Sequence, residues 1–253
     1  MLATLKAIIF DFIGTLANVK DYSLEKSERK LHEALGKSGF KVDPQAFLSA
    51  YRQSHEKFRK VRYEKLVEVA NAVWISDALN SIGCVTSPSD VRIKTAVNIF
   101  FQDYLSSFEL RPCVFNFLKQ ASAKYKLGLI SNFTHALVVY AGLRMLDINH
   151  FLNVVCVSEA IGWRKPHTKI FEEVLNRLCV SPEQTVFVGD SPLEDIKGAK
   201  ASGLKTIFVP SQFYTLEDLK VSEQESDLIV QDICDLQKRF PDFVSSCFSE
   251  ESV

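Results

Sequence analysis

Three aspartates, one lysine and a few hydroxyl and amide side chains stand where short apolar runs of this 253-residue chain end. Asp11 closes the run from Leu5 and is followed by Gly14-Thr15. Ser131 and Asn132 close the run from Leu127, and Arg164-Lys165-Pro166 come shortly after Val154–Val157. Gly189-Asp190 close the run from Thr185, with Asp195 just beyond. Carboxylates and a lysine on one rim suit a hard cation and an anionic substrate, because Mg²⁺ takes one or two carboxylates together with waters and phosphate oxygens. A nearby lysine would hold Asp11 ionised and neutralise phosphate charge. An aspartate between metal and lysine can attack phosphorus in line and form an aspartyl-phosphate, which splits one hard step into two.

These residues need a frame that brings distant strand ends together. After Pro112 the pattern alternates. Helices near Val114–Lys124, His135–Leu146, Thr168–Cys179 and Leu193–Ser202 are interleaved with strands at Leu127–Ser131, Val154–Val157, Thr185–Gly189 and Thr206–Val209. Such alternation implies βαβ units, with a parallel sheet covered on both faces. In that architecture ligands bind beyond the carboxyl ends of the strands, near the switch in strand order. Between Tyr22 and Ser107 the rhythm is helical instead. Leu24, Leu31, Leu35, Phe47, Tyr51 and Phe58 recur at helical spacing among charged residues, punctuated by Gly39, Pro44, Gly83 and Pro88. The fold class read from this is α/β, a doubly wound parallel sheet with an inserted all-helical domain. The core takes residues 1–17 and 108–253, and the insert takes 18–107. Residues 241–253, rich in Ser and Glu, read as a loose tail.

The ordered set resembles the haloacid dehalogenase superfamily. Asp11-Phe12-Ile13-Gly14-Thr15-Leu16 resembles its first motif and Ser131-Asn132 its second. Lys165-Pro166 resembles the third, and Gly189-Asp190-Ser191 through Asp195 the fourth. Each motif alone is weak; four in order are specific. The resemblance implies Asp11 as nucleophile and Lys165 as the orienting cation. Thr15 and Ser131 would hydrogen-bond the transferring phosphoryl group, with Gly14 and Asn132 beside the substrate. Mg²⁺ would be held by Asp11, the Ile13 carbonyl, Asp190 and Asp195, and the insert would be a helical cap closing over the site. The implied substrate is a small phosphorylated metabolite.

One position departs from that pattern. Phosphatases of the superfamily carry a second aspartate two residues after the nucleophile, as general acid and base, and here Ile13 stands there. General acid–base catalysis contributes roughly 10²- to 10⁴-fold, so proton transfer should suffer while metal binding survives. Two further readings therefore stay open: a phosphate-binding protein with little or no turnover, and a dehalogenase- or phosphonatase-type hydrolase that also uses Asp11. The phosphonatase type would need an insert lysine such as Lys57, Lys60 or Lys65, which charged helices usually leave solvated.

Other features are expected to be structural. Arg52, Arg59 and Arg62 read as solvated, the insert aromatics as core, His167 as a helix cap and His135 as a surface residue. A net charge of −1 gives no footprint for nucleic acid or an anionic membrane. No run reaches membrane-spanning length. Six cysteines without close spacing argue against a disulfide framework or a zinc site. They read instead as buried thiols of a cytoplasmic protein, monomeric or homodimeric.

Overall fold

The computed structural model describes residues 3–249. The first strand, β1 (Ala7–Phe10), is buried on both faces, as a central strand between two helical layers must be. The chain leaves it through β2 (Ala17–Val19) and enters five helices: α1 (Leu24–Lys37), α2 (Pro44–Lys65), α3 (Asn71–Ser81), α4 (Val91–Phe100) and the short α5 (Gln102–Ser106). It returns through β3 (Phe108–Leu110), which pairs antiparallel with β2. Asp43 caps α2 by accepting from the Ala46 amide, and Pro44 occupies its first turn, where a missing N–H costs nothing.

Strict alternation follows: α6 (Val114–Ser122), β4 (Lys126–Ser131), α7 (Ala136–Met145), β5 (Val154–Val157), α8 (Ser158–Ile161), α9 (Thr168–Leu178), β6 (Thr185–Gly189), a π-helical turn (Pro192–Ile196), α10 (Lys197–Ala201), β7 (Lys205–Phe208), α11 (Leu216–Val221), β8 (Leu228–Ile229) and α12 (Ile233–Cys247). The sheet runs β5-β4-β1-β6-β7-β8 and every pairing in it is parallel. The order reverses at β1, so the switch-point crevice opens beside Asp11. Pleating divides the core by parity: Ile8 and Phe10 join one apolar layer, while Ala7 and Ile9 join the layer under α9 with Ile170, Phe171 and Val174.

Two expectations are corrected. The stretch from residue 241 is no loose tail up to residue 247; α12 continues through Pro241, and residues 250–253 of that stretch lie outside the described residues. Ile233, Leu236, Phe240 and Phe243 form its buried stripe, an apolar periodicity that outweighs the polar composition around it. Cys113 and Cys234 form a disulfide joining the start of α6 to the first turn of α12. Short-range spacing carries no information about a pair brought together by the fold. Of the four free cysteines only Cys156 is buried.

Candidate active site

The loop after β1 is wound tightly. The Gly14 amide donates to Ala17 O (2.7 Å), and the Leu16 and Ala17 amides both donate to Phe12 O. Gly14 has φ +104°, and a Cβ there would lie 2.2 Å from Asp190 Oδ2. Glycine is therefore required both by the backbone and by the approach of a second loop. The first and fourth loops thus close to van der Waals distance. Within the fourth loop itself, a Cβ on Gly189 would fall 2.5 Å from Asp195 Oδ2, so glycine there lets that loop fold back on its own strand end.

Into that crevice Lys165 inserts its side chain, 1% exposed. Its ammonium donates to Asp11 Oδ1 (2.6 Å) and to Ile130 O (3.1 Å), and lies 2.6 Å from Asp195 Oδ1. Burial opposes the lysine's charge, but Asp11 and then Asp195 outweigh it and hold the ammonium well above lysine's ordinary range. Asp195 Oδ2 accepts from the amides of Asp190 (3.0 Å) and Ser191 (2.9 Å), fixing the loop that presents Asp190. Asp190 in turn accepts from Thr15 Oγ1 (3.3 Å) and Ser211 Oγ (2.5 Å). Carboxylate oxygens of Asp11, Asp190 and Asp195 lie within 4.8 Å of one another.

One lysine cannot neutralise three buried carboxylates. Burial first, and then the charges of Asp11 and Asp195, push the Asp190 carboxyl far above the usual carboxylate range. Asp195 is pushed up too, by burial and by Asp11, against the pull of Lys165. Asp11 Oδ2 is buried without a hydrogen-bond partner. Excess negative charge, oxygen donors and an orphaned carboxylate oxygen are what a hard divalent cation satisfies, so the residues present fit Mg²⁺.

The fold brings together Asp11, Thr15, Lys165, Asp190 and Asp195, with Gly14 as spacer and Ser131 buried at the end of β4. Ile13 sits in the same loop, partly buried against the core. Asn132 is used internally. Its Oδ1 accepts from the Lys165 amide (2.8 Å), while Nδ2 donates to Lys165 O (2.9 Å) and to Glu194 (2.9 Å). Its amide therefore braces the lysine loop rather than facing outward. His167 caps α9 as expected, by accepting from the Lys169 amide. Arg62 is not solvated, unlike the reading made from its neighbours; its side chain is largely buried against Glu68.

Sequence reasoning missed Ser211 and Arg111. The strand-end rule, carried one strand further to β7, reaches Ser211. Arg111 donates to Gly14 O, to Thr15 O (3.4 Å) and to Pro210 O (2.9 Å), clamping the Asp11 loop to the Ser211 loop. No local pattern marks that role.

The family profile of haloacid dehalogenase-like hydrolases matches residues 8–209. A glyceraldehyde 3-phosphate phosphatase of Methanopyrus kandleri is 30% identical over 210 residues, covering 80% of this chain and 83% of that protein. One of the same name from Methanothermobacter thermautotrophicus is 36% identical over 118 residues. That match covers 46% of this chain and spans only about half of the relative, 52%. Among solved structures, a 2-haloacid dehalogenase from Pseudomonas syringae pv. Tomato DC3000 superposes with a TM-score of 0.68 at 19% identity. It covers 96% of this chain and 99% of that one, a likeness of fold.

Proposed function

The chain belongs to the haloacid dehalogenase-like hydrolase family, and we propose that it is an Mg²⁺-dependent phosphohydrolase of small phosphorylated metabolites that uses Asp11 as nucleophile. The observation that carries this reading is the charge imbalance of the strand-end cluster: three carboxylates face one lysine, and Asp11 Oδ2 is buried and unpartnered. A dication would be held by Asp11, the Ile13 carbonyl, Asp190 and Asp195. When bound, it supplies charge neutralisation to the phosphate oxygens. The phosphatase names of the two archaeal relatives support a phosphate ester as substrate.

Each side chain then has a task. Lys165 aims Asp11 through its 2.6 Å contact with Oδ1. Attack on phosphorus forms an Asp11 acyl phosphate and expels the substrate's oxygen as an anion. Water then attacks that phosphorus and the P–O bond to Asp11 breaks. Inorganic phosphate leaves, with water's protons shared between it and the expelled anion, and the carboxylate is regenerated. Thr15 and Ser131 donate to the phosphoryl oxygens, and the insert α1–α5 acts as the cap. Ile13 cannot protonate the departing oxygen, so the enzyme favours leaving groups stable as anions, such as aryl or acyl phosphates. Ring packing beside the Asp11 loop supports the aryl choice. Tyr104 packs edge-on against Tyr22 (4.7 Å) and Phe108 (5.2 Å) and tilted on Phe133 (5.7 Å), and Phe108 meets the ring of Phe12 (5.4 Å), next to Asp11. A Schiff-base mechanism gains no such support, because Lys57 is exposed and paired with Asp77, and Lys60 and Lys65 are exposed.

The test is p-nitrophenyl phosphate turnover with Mg²⁺, with EDTA, and in Asp11→Asn. Activity that needs both metal and Asp11 is the expected result. Mg²⁺ binding without turnover of any activated phosphate would make the chain a phosphate-binding protein instead.

A further inference from the structure

The α2–α3 turn docks the insert onto the loop that carries Lys165. Leu66 ends α2 at φ +53°, a left-handed backbone that non-glycine residues seldom adopt. Beyond it the chain forms an antiparallel bridge with the segment before Lys165. The Arg164 amide donates to Leu66 O (3.1 Å) and the Glu68 amide to Gly162 O (2.9 Å).

Beneath this bridge the carboxylate of Glu68 is wholly buried. Oε1 accepts from Arg62 Nε (2.6 Å), and Oε2 accepts from Ser158 Oγ (2.6 Å) and lies 3.6 Å from Arg164 Nη1. Arg164, itself 3% exposed, donates through Nη2 to Glu194 (2.9 Å). Glu194 accepts from Asn132, and Asn132 clamps both backbone groups of Lys165. Three members of this chain of contacts adjoin a candidate site residue in sequence: Asn132 follows Ser131, Arg164 precedes Lys165, and Glu194 precedes Asp195. Three loops that must hold register at the strand ends are thus tied together one residue away, and the insert supplies the closing pair, Arg62 and Glu68.

We propose that Glu68 is a positioning residue, through which docking of the helical insert fixes the Lys165 loop against Asn132 and Glu194. It touches no reacting atom in this arrangement. It acts through Arg164, and opening the insert would have to strip a buried carboxylate from Arg164 and Ser158, a cost that favours the docked state. This goes beyond the aspartyl-phosphate reading, because it assigns to a residue outside the four motifs control over the geometry those motifs build.

The experiment is Glu68→Gln, followed by amide hydrogen exchange of the Mg²⁺-loaded protein and by p-nitrophenyl phosphate kinetics. Exchange at Lys165, whose amide is held by Asn132, should accelerate about tenfold or more, along with Glu68 and Arg164, while Ile8–Phe10 amides stay protected. The kcat should fall about tenfold with KM changed less than about twofold, because geometry is lost and not substrate contacts. Lys57→Gln, which removes an exposed pair on the same insert, should change neither. Arg62→Lys gives a milder second variant, with the same amides affected in the same direction. Turnover as a readout rests on the phosphohydrolase reading; exchange does not. Faster exchange at Lys165 in Glu68→Gln, with no turnover by the wild type, would uphold the coupling and sink only that reading. Unchanged exchange at Lys165 in both variants would overturn the role of Glu68, whatever the kinetics.

Discussion

Two buried charge clusters lie side by side in this protein, and their balance separates them. At the strand ends, Asp11, Asp190 and Asp195 surround the single cation Lys165. At the docking edge, Arg62 and Arg164 meet Glu68 and Glu194, two against two. The balanced cluster has both carboxylates hydrogen-bonded to arginine, and its unpartnered atoms, Arg164 Nε and Nη1, are donors of a group already matched in charge. The unbalanced one keeps an unpartnered carboxylate oxygen and holds two carboxyls far from their ordinary ionisation. Buried charge by itself is thus no mark of a site, because ion pairs that are complete serve structure or register. A deficit of counter-charge is the mark of a ligand to come.

Substitutions should expose that difference, beginning with Asp11. Asp11→Asn should lower p-nitrophenyl phosphate turnover by on the order of 10⁴-fold or more, read by initial rates with Mg²⁺. Glu68→Ala attacks the balanced cluster and strands Arg62 and Arg164. Urea unfolding should show a loss of about 3–5 kcal/mol, as for other buried pairs broken on one side. Mg²⁺ should act on the unbalanced cluster alone. At a hundredfold excess over its Kd it should stabilise the wild type by about 2.7 kcal/mol, and Asp190→Asn should remove that response. Asp190→Asn should also leave the EDTA-treated protein at least as stable as wild type at pH 8, which would be surprising for any residue of the docking edge.

Smaller effects sharpen the same contrast. Ile13→Asp restores an acid to the first loop and adds a fourth carboxylate to the crowded cluster. Turnover of alkyl phosphates should rise by roughly tenfold more than that of p-nitrophenyl phosphate, because only the poor leaving group needs a proton. Equal gains on both substrates would show that residue 13 is not the missing acid. The pH dependence of the EDTA-treated protein follows from the sign of the Asp190 and Asp195 shifts. Both folded-state values are raised, so the folded protein binds more protons than the unfolded chain. The associated stability is complete below the ordinary carboxylate range, about pH 4, and drains away as pH rises through the raised values, at up to about 1.4 kcal/mol per pH unit for each group. Denaturation midpoints between pH 5 and 8 should fall without metal and flatten with it.

Legibility in the sequence followed distance along the chain. Asp11, Ser131, Lys165 and Asp190 each sit within a few residues of an apolar run, so a local signal placed them at strand ends and the parallel sheet did the rest. The alternating elements from Val114 to Phe208 were legible for the same reason. Glu68 was not, because Ser158 and Arg164, which bury it, lie 90 residues or more along the chain. Arg62 was not, because it is buried against that same carboxylate, and a charged helix end looks the same whether it meets water or another loop. The terminal helix escaped because its composition spoke for a tail while the spacing of Ile233, Leu236, Phe240 and Phe243 spoke for an amphipathic helix. Spacing is the better guide when the two conflict, since it reports a face that can be buried.

The Cys113–Cys234 bond divides the molecule in covalent terms. It spans 121 positions and makes a ring that threads through Ser131, Lys165, Asp190 and Asp195. Asp11 and the helical insert hang outside that ring on a single strand of chain. A protease cutting any loop within the ring would leave one oxidised molecule, its two pieces still bolted together. A cut at the turn around Val85, 94% exposed, would instead part the segment of Asp11 from the segment that bears Lys165, Asp190 and Asp195, leaving noncovalent contacts alone, among them the β1 pairings and the Lys165–Asp11 ion pair, to hold them together.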